Sequence, residues 1–239
     1  MTSLDSKPQI VVVGNGMVGH HFVEQLHQSD ANVEITVLCG ESRLAYDRVY
    51  LSSFFSGASA DDLALTTPAQ YAEWGVNVVT NALVTDIDRD NNKVTTSEGQ
   101  VFSYDKLVLA TGSYPFVPPI PGNDQEHCLV YRTIDDLLAI EASAAVSKVG
   151  VVVGGGLLGL EAANALKQAG LDTHVVEFAP QLMAVQLDQA GGNVLKDKIE
   201  ALGVTVHTQK ATQTIEAGDT CRYKMVFADG TALETDMIL

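Results

Sequence analysis

Two hydrophobic signatures alternate along the chain, and each occurs twice. Ile10–Val13 and Gly150–Val153 are short β-branched runs, the pattern of a strand buried on both faces. Each runs straight into glycines and then into helical spacing: Val18, Phe22 and Leu26 in the first case, Leu158, Ala162 and Leu166 in the second. A second strand is predicted next, over Glu34–Leu38 and over Thr173–Val176. A later helix stops at Gly75 or Gly203, each suited to the left-handed position that ends a helix. Alternating segments follow, with turn signals at Asn91-Asn92, Glu98-Gly99, Ala217-Gly-Asp219 and Asp229-Gly230; they predict an antiparallel meander beside each parallel sheet.

The order of elements is thus repeated. Ile10-Val-Val-Val-Gly14-Asn-Gly16-Met-Val-Gly19 recurs as Gly150-Val-Val-Val-Gly154-Gly-Gly156-Leu-Leu-Gly159, Trp74–Val78 as Leu202–Val206, and Glu98–Asp105 as Asp229–Asp236. The period is too long for a solenoid. It predicts an α/β chain of two Rossmann-like domains, each a parallel sheet with a β-meander. Pro115, Pro118, Pro119 and Pro121 separate the two copies, in a stretch where helix and sheet are both disfavoured.

Each G-x-G-x-x-G follows a predicted strand and opens a predicted helix, the context in which the motif signifies a dinucleotide site. The first glycine allows the tight turn, the second lets backbone approach a pyrophosphate, and the third lets helix pack on strand. The helix N-terminus then offers free N–H groups to the phosphates. Met17 and Leu157 are the residues that open the two helices. An acid is expected at the end of the second strand for the adenosine ribose. Glu177 stands there in the second copy, and no Lys or Arg occurs between Thr173 and Gly192, so NADH is expected over NADPH. In the first copy the acid is Glu41, one residue late. Two such folds allow a nicotinamide to meet a second dinucleotide, and a flavin is the natural hydride acceptor.

Composition narrows the picture. The 239 residues carry 14 Lys+Arg against 30 Asp+Glu, a net charge of −16. That argues against a phosphate-binding face for nucleic acid and against an anionic membrane surface. No apolar run has transmembrane length, and Met1–Gln9 is polar, without a secretory core. Cys39, Cys128 and Cys221 are scattered, which argues against a disulfide framework, zinc or a cluster, and for a cytoplasmic location.

Gly14–Gly19, Leu107–Gly112 and Gly154–Glu161 resemble the FAD and NAD motifs of two-dinucleotide-domain flavoprotein reductases of the glutathione-reductase-like fold. Val12–His20, Ala45-Tyr-Asp-Arg-Val49 with Leu51-Ser52-Ser53, Ala110–Pro115, Tyr131–Ile134, Val151–Ala163, Thr173–Pro180 and Gln186–Asp188 are similar to the large subunit of NADH-dependent nitrite reductase. That resemblance covers nearly the whole chain. It implies an FAD domain over residues 1–120 and an NAD domain over residues 121–239. Gly14, Gly16, Met17 and Gly19 would cradle the FAD pyrophosphate, Glu41 would take its ribose, and Arg48 and Arg132 would lie along the flavin nucleotide. Backbone at Val84 would face the adenine, and Ala110-Thr111-Gly112 would pass close by. Gly154, Gly156, Leu157 and Gly159 would hold NADH, with Glu161 near the nicotinamide and Glu177 on the ribose. For Glu41, Arg48 and Arg132 surface charge is the competing reading, and for Glu161 a helix-dipole acid. No catalytic side chain and no metal ligand is assigned.

Two departures bear on function. Related ferredoxin and rubredoxin reductases carry Leu-Ser-Lys where this chain has Leu51-Ser52-Ser53, so no role for that lysine transfers. Asp236–Leu239 matches the start of the strand that Asp105–Leu109 completes. The resemblance therefore implies a fragment: the flavin domain lacks its returning segment, and the iron–sulfur and sirohaem regions lie in missing sequence. The expected activity is electron input from NADH through FAD to those centres, for reduction of nitrite to ammonia. A small nitrite reductase subunit is a further implied partner. An NADH-dependent rubredoxin or ferredoxin reductase and a dinucleotide-binding fragment without turnover stay open as alternatives.

Overall fold

The computed structural model describes residues 7–239. The first six residues of the polar amino-terminal stretch lie outside the described residues. Contacts divide the chain into two compact units: one up to Leu51 and resuming over Ala58–Ser113, the other Tyr114–Leu239 with the excursion Ser52–Gly57.

In the first unit β1 (Gln9–Val13) leads into α1 (Met17–Gln28) and β2 (Glu34–Leu38). After α2 (Pro68–Glu73) come β3 (Val76–Val79), the meander β4 (Val84–Asp88), β5 (Lys93–Thr96) and β6 (Val101–Ser103), and finally β7 (Lys106–Leu109). The parallel sheet has the order β3-β2-β1-β7. Its central strand is buried on both faces, as its unbroken apolar run requires. Ile10 and Val12 face a core with Val23, Ile35, Val37 and Tyr71. Val11 and Val13 face the other way, with Leu38, Ala82 and Val94 beneath the meander. Each fully buried valine contributes up to about 1.5–3 kcal/mol.

The second unit repeats this plan after an added helix, α3 (Ile134–Ala144). It runs β8 (Val149–Val153), α4 (Leu157–Gln168), β9 (Asp172–Val176), α5 (Gln189–Ala201) and β10 (Val204–His207). The meander β11 (Thr212–Ala217), β12 (Tyr223–Phe227), β13 (Ala232–Thr235) and the short β14 (Met237–Ile238) complete it. The sheet order is β10-β9-β8-β14, the same as in the first unit. Alternate residues Tyr223, Met225 and Phe227 of β12 are buried against Val151, Val176 and Ile238.

Equivalent residues brace both sheets. The Asp105 carboxylate accepts the Gln9 N–H at 2.7 Å, and the Asp236 carboxylate accepts the Lys148 and Val149 N–H groups at 2.8 and 3.1 Å. Gly75 and Gly203 end their helices with φ of +68° and +82°, the left-handed geometry that glycine adopts without steric cost.

The helical stripe differs from the expected one at its start. Val18 and Leu158 are exposed, at 72% and 56%. In α1 the buried positions are Gly19, His20 and Val23, and in α4 they are Ala162, Ala163, Ala165 and Leu166. Helix α3 opens on a capping box, in which the Thr133 hydroxyl accepts the Asp136 N–H and the Asp136 carboxylate accepts the Thr133 N–H, and it buries Ile134, Leu137 and Ile140 along one face. The proline stretch has no regular structure from Gly112 to Ile120, yet it is anchored. The Ile215 N–H donates to the Pro121 carbonyl at 2.8 Å, and Ile120 packs beside the second meander.

Candidate functional site: two glycine loops

Both loops turn in the same way. Gly14 and Gly154 have φ of +105° and +122°, and their N–H groups donate to the Leu38 and Val176 carbonyls, each at 2.8 Å. A Cβ at Gly19 would overlap the Gly14 carbonyl oxygen, and a Cβ at Gly159 would overlap that of Gly154. The first and third glycines are therefore demanded by the protein's own backbone. The middle ones are not. Gly16 and Gly156 both have an ordinary φ of −84°. A Cβ at Gly156 would meet nothing within 4 Å, and one at Gly16 only the Arg48 Nε at 3.9 Å.

The helix starts add to this. Among the described residues α2, α3 and α5 are capped by the side chains of Thr67, Thr133 and Asp188. Neither α1 nor α4 has a side-chain cap or an acid in its first turn. Their leading N–H groups and dipole charge are left for an anion. Met17 and Leu157 open these helices with exposed side chains.

In the first unit, Ala110-Thr111-Gly112 closes over the loop. The Ala110 N–H donates to the Val13 carbonyl at 2.8 Å, and the Ala110 carbonyl fills the space where Gly14 would carry a Cβ. Glu41 and Arg48 form an ion pair. The Tyr46 hydroxyl also donates to Glu41, at 2.7 Å, and its ring lies under the Arg48 guanidinium, 4.7 Å from ring centroid to Cζ. Val84 begins the meander just after Asn81 and Ala82, whose N–H groups donate to the Glu41 and Cys39 carbonyls. Strand pairing makes Cys39, not Glu41, the counterpart of Glu177. Their N–H groups donate to Val79 and His207 in the matching adjacent strands, each at 2.8 Å. Glu41 thus stands two places past that counterpart rather than one, and a thiol occupies the matching position.

A buried polar chain lies behind the first loop, and sequence reasoning did not find it. The Tyr71 hydroxyl donates to Asn15 Oδ1 at 2.8 Å and lies 2.9 Å from His20 Nδ1. The Tyr71 hydroxyl thus bridges Asn15 and His20. Burial lowers the His20 pKa and raises that of Tyr71, which keeps both neutral near pH 7. Asn15 Nδ2 is buried and has no acceptor among the described residues. An Asn between the glycines, with a His at the first helical turn, was the available signal.

In the second unit the Glu177 carboxylate accepts two N–H groups at 2.6 Å, those of Gly155 in the loop and Ala179 just beyond. Phe178 beside it is 77% exposed. Lys210 approaches through its backbone N–H, which donates to the Glu177 carbonyl, while its ammonium is held by Asp229 and Thr231. At the carboxyl ends of β8 and β14 lies a cavity of about 340 Å³, lined in part by Phe116, Tyr131, Val153, Leu158, Gly159 and Leu239. That is the point where the strand order reverses, where open α/β sheets bind ligands. Glu161 is half-buried on α4. Burial, and then the charge of Glu161, raise the Tyr131 phenol to about 12. Arg132 belongs to this unit, and its N–H donates to the Asp136 carboxylate at 3.1 Å.

The duplicated fold and its two uncapped loops define a protein class, and the family comparison agrees. Residues 8–239 match the pyridine nucleotide-disulphide oxidoreductase model, and the chain belongs to that family. It is 53% identical over 98% of its length to the NADH nitrite reductase large subunit of Escherichia coli. It is 37% identical, again over 98%, to the assimilatory nitrate reductase electron transfer subunit of Bacillus subtilis. The chain spans 28% and 30% of those two relatives' own lengths. Among solved structures it resembles a ferredoxin reductase from Rhodopseudomonas palustris, with a TM-score of 0.89 and 25% identity over 97% of this chain and 57% of that one.

Proposed function

We propose that this chain is an NADH-dependent flavoprotein module that takes electrons from NADH onto FAD. The observation that carries the reading is the contrast among helix starts. Among the described residues, three helices are closed by side chains at their starts, and the two that follow glycine loops are left open beneath a glycine whose added Cβ would meet no close neighbour.

The first unit would hold FAD and the second NADH, close to the division at residues 120 and 121. Gly14, Gly16, Met17 and Gly19 would line the FAD pyrophosphate, with Arg48 as its cation. Glu41 would accept ribose hydroxyls, with backbone at Val84 and Ala110-Thr111-Gly112 bordering the same dinucleotide, and Arg132 the flavin nucleotide. Gly154, Gly156, Leu157 and Gly159 would serve NADH, Glu177 its adenosine ribose, and Glu161 its nicotinamide end. When bound, FAD supplies a hydride acceptor that can release electrons singly. The chain's own residues bind and orient the two dinucleotides.

The 53% identity to a nitrite reductase large subunit supports placing this module at the electron-input end of such an enzyme. Nitrite reduction to ammonia would then occur at iron–sulfur and sirohaem centres outside these residues, with a small subunit as a further partner. Glu177 would repel a 2′-phosphate, and Lys210, whose backbone N–H donates to the Glu177 carbonyl, has its ammonium committed to Asp229, so NADH is the expected donor. Calorimetric titration with NADH and NADPH tests the assignment. NADH should bind the tighter by at least about tenfold, and Gly156→Ala should weaken NADH without affecting FAD. Equal affinity for the two nucleotides would overturn it.

A further inference from the structure

We propose that Tyr46 is the positioning residue of the flavin site, a single buried side chain that sets both the acid and the cation for the dinucleotide. This inference rests on the reading of the first unit as the FAD domain and adds a residue to which that reading gives no role.

Tyr46 is 4% exposed, and its two chemical faces are both in use. The hydroxyl donates to Glu41 Oε2 at 2.7 Å. The ring face carries the Arg48 guanidinium at 4.7 Å, a cation–π distance. Arg48 in turn pairs with Glu41 Oε1 and brings its Nε to 3.9 Å from the Cβ position above Gly16. Glu41, Tyr46 and Arg48 therefore close a triangle beside the glycine loop, and Tyr46 is its buried corner.

That corner is fixed. Tyr46 pairs with Ala64 in an antiparallel bridge. On one side the Asp47 N–H donates to the Leu63 carbonyl at 2.8 Å, and on the other the Leu65 N–H donates to the Ala45 carbonyl at 2.9 Å. Ala45 and Leu63 are themselves buried. Glu41 sits in a loop three places beyond β2, and its carboxylate is held by the Tyr46 hydroxyl and by Arg48. In the second unit Glu177 needs no such support, because it stands at the strand end and is held by two backbone N–H groups. Tyr46 supplies to a displaced acid what the backbone supplies to Glu177, and it orients a cation as well.

The test is FAD affinity of the 239-residue chain, read by quenching of flavin fluorescence, in a double-mutant cycle. Tyr46→Phe keeps the ring and should bind FAD about tenfold more weakly, the size of a hydrogen bond to a charged group. In a Glu41→Gln background the same change should cost less than about twofold. Tyr46→Leu should lose about a further threefold through Arg48, and that part should vanish in an Arg48→Gln background. Melting temperatures report folding separately, and Tyr46→Phe preserves the packed ring should Tyr46→Leu fail to fold. If Tyr46→Phe binds FAD as tightly as the parent, or loses the same factor with and without Glu41, the positioning role is wrong although the FAD site stands. If the parent chain binds no FAD, the FAD reading fails and the role of Tyr46 fails with it.

Discussion

The two glycine loops share a backbone and differ in what stands behind it. In each, the first glycine turns the chain and the third lies against the carbonyl of the first. At the end of the second strand the copies part. Glu177 reaches back and accepts the N–H of its own loop at Gly155. Its counterpart Cys39 is a buried thiol that donates to the Arg43 carbonyl at 3.3 Å, its pKa raised by burial although the Glu41 and Asn15 N–H groups face it. The acid of the first copy has moved outward to Glu41 and is held by Tyr46 and Arg48. The shared part leaves two helix starts without a side-chain cap. In the part that differs, backbone N–H groups hold the acid of the second unit, and a tyrosine and an arginine hold the acid of the first.

The largest expected effect breaks what the loops share. Gly19→Val or Gly159→Val drives a side chain into backbone, which cannot yield as a flexible side chain would. Each should destabilise its unit by about 1–3 kcal/mol, read as a lowered denaturation midpoint, and abolish binding of the matching dinucleotide.

Gly16→Ala and Gly156→Ala sharpen the comparison by separating stability from binding. Their Cβ atoms enter open space at an ordinary φ, so unfolding midpoints should shift by less than about 0.5 kcal/mol. FAD affinity should fall for the first and NADH affinity for the second, each with the other ligand unaffected. A midpoint shift as large as that of the valine variants would show that the middle glycine is structural.

Tyr71→Phe probes a feature of the first unit alone. It leaves buried His20 and Asn15 short of a partner, at a cost of about 1–3 kcal/mol. Chemical denaturation should show the loss in the transition of the first unit, with NADH affinity of the second unchanged.

The smallest effect belongs to the second meander. Glu234 accepts the N–H groups of Cys221, Asp219 and Thr220, which hold its pKa at about 2 against an ordinary 4.5. A depressed carboxylate pKa stabilises the fold above the unfolded value, and that contribution is lost as pH falls from 4.5 toward 2. Glu234→Gln should flatten the fall in melting temperature across that window.

Much of this was legible in the sequence. Both strand–loop–helix units, Glu34–Leu38, the two meanders and the glycines at 75 and 203 follow from periodicity and turn chemistry. So does Glu177, because a strand end can be counted. What stayed hidden depends on partners distant in sequence. Tyr46 is one polar aromatic among seven tyrosines until Ala64 and Arg48 are seen around it. The Asn15–Tyr71–His20 chain joins residues more than fifty positions apart. The excursion of Ser52–Gly57 into the second unit comes from packing such as Phe55 on Tyr131, which no local spacing encodes. Helix α3 was legible too, from the cap at Thr133 with Asp136 and the apolar positions Ile134, Leu137 and Ile140 three apart.

The central claim is that the two seats hold two different dinucleotides that exchange a hydride. The most direct measurement loads the chain with FAD, mixes it with NADH without oxygen, and follows the visible flavin band. The account predicts that the band bleaches, that Gly156→Ala slows the bleaching at limiting NADH, and that NADPH is the poorer donor. A chain that retains FAD and binds NADH while the band stays unchanged would contradict it.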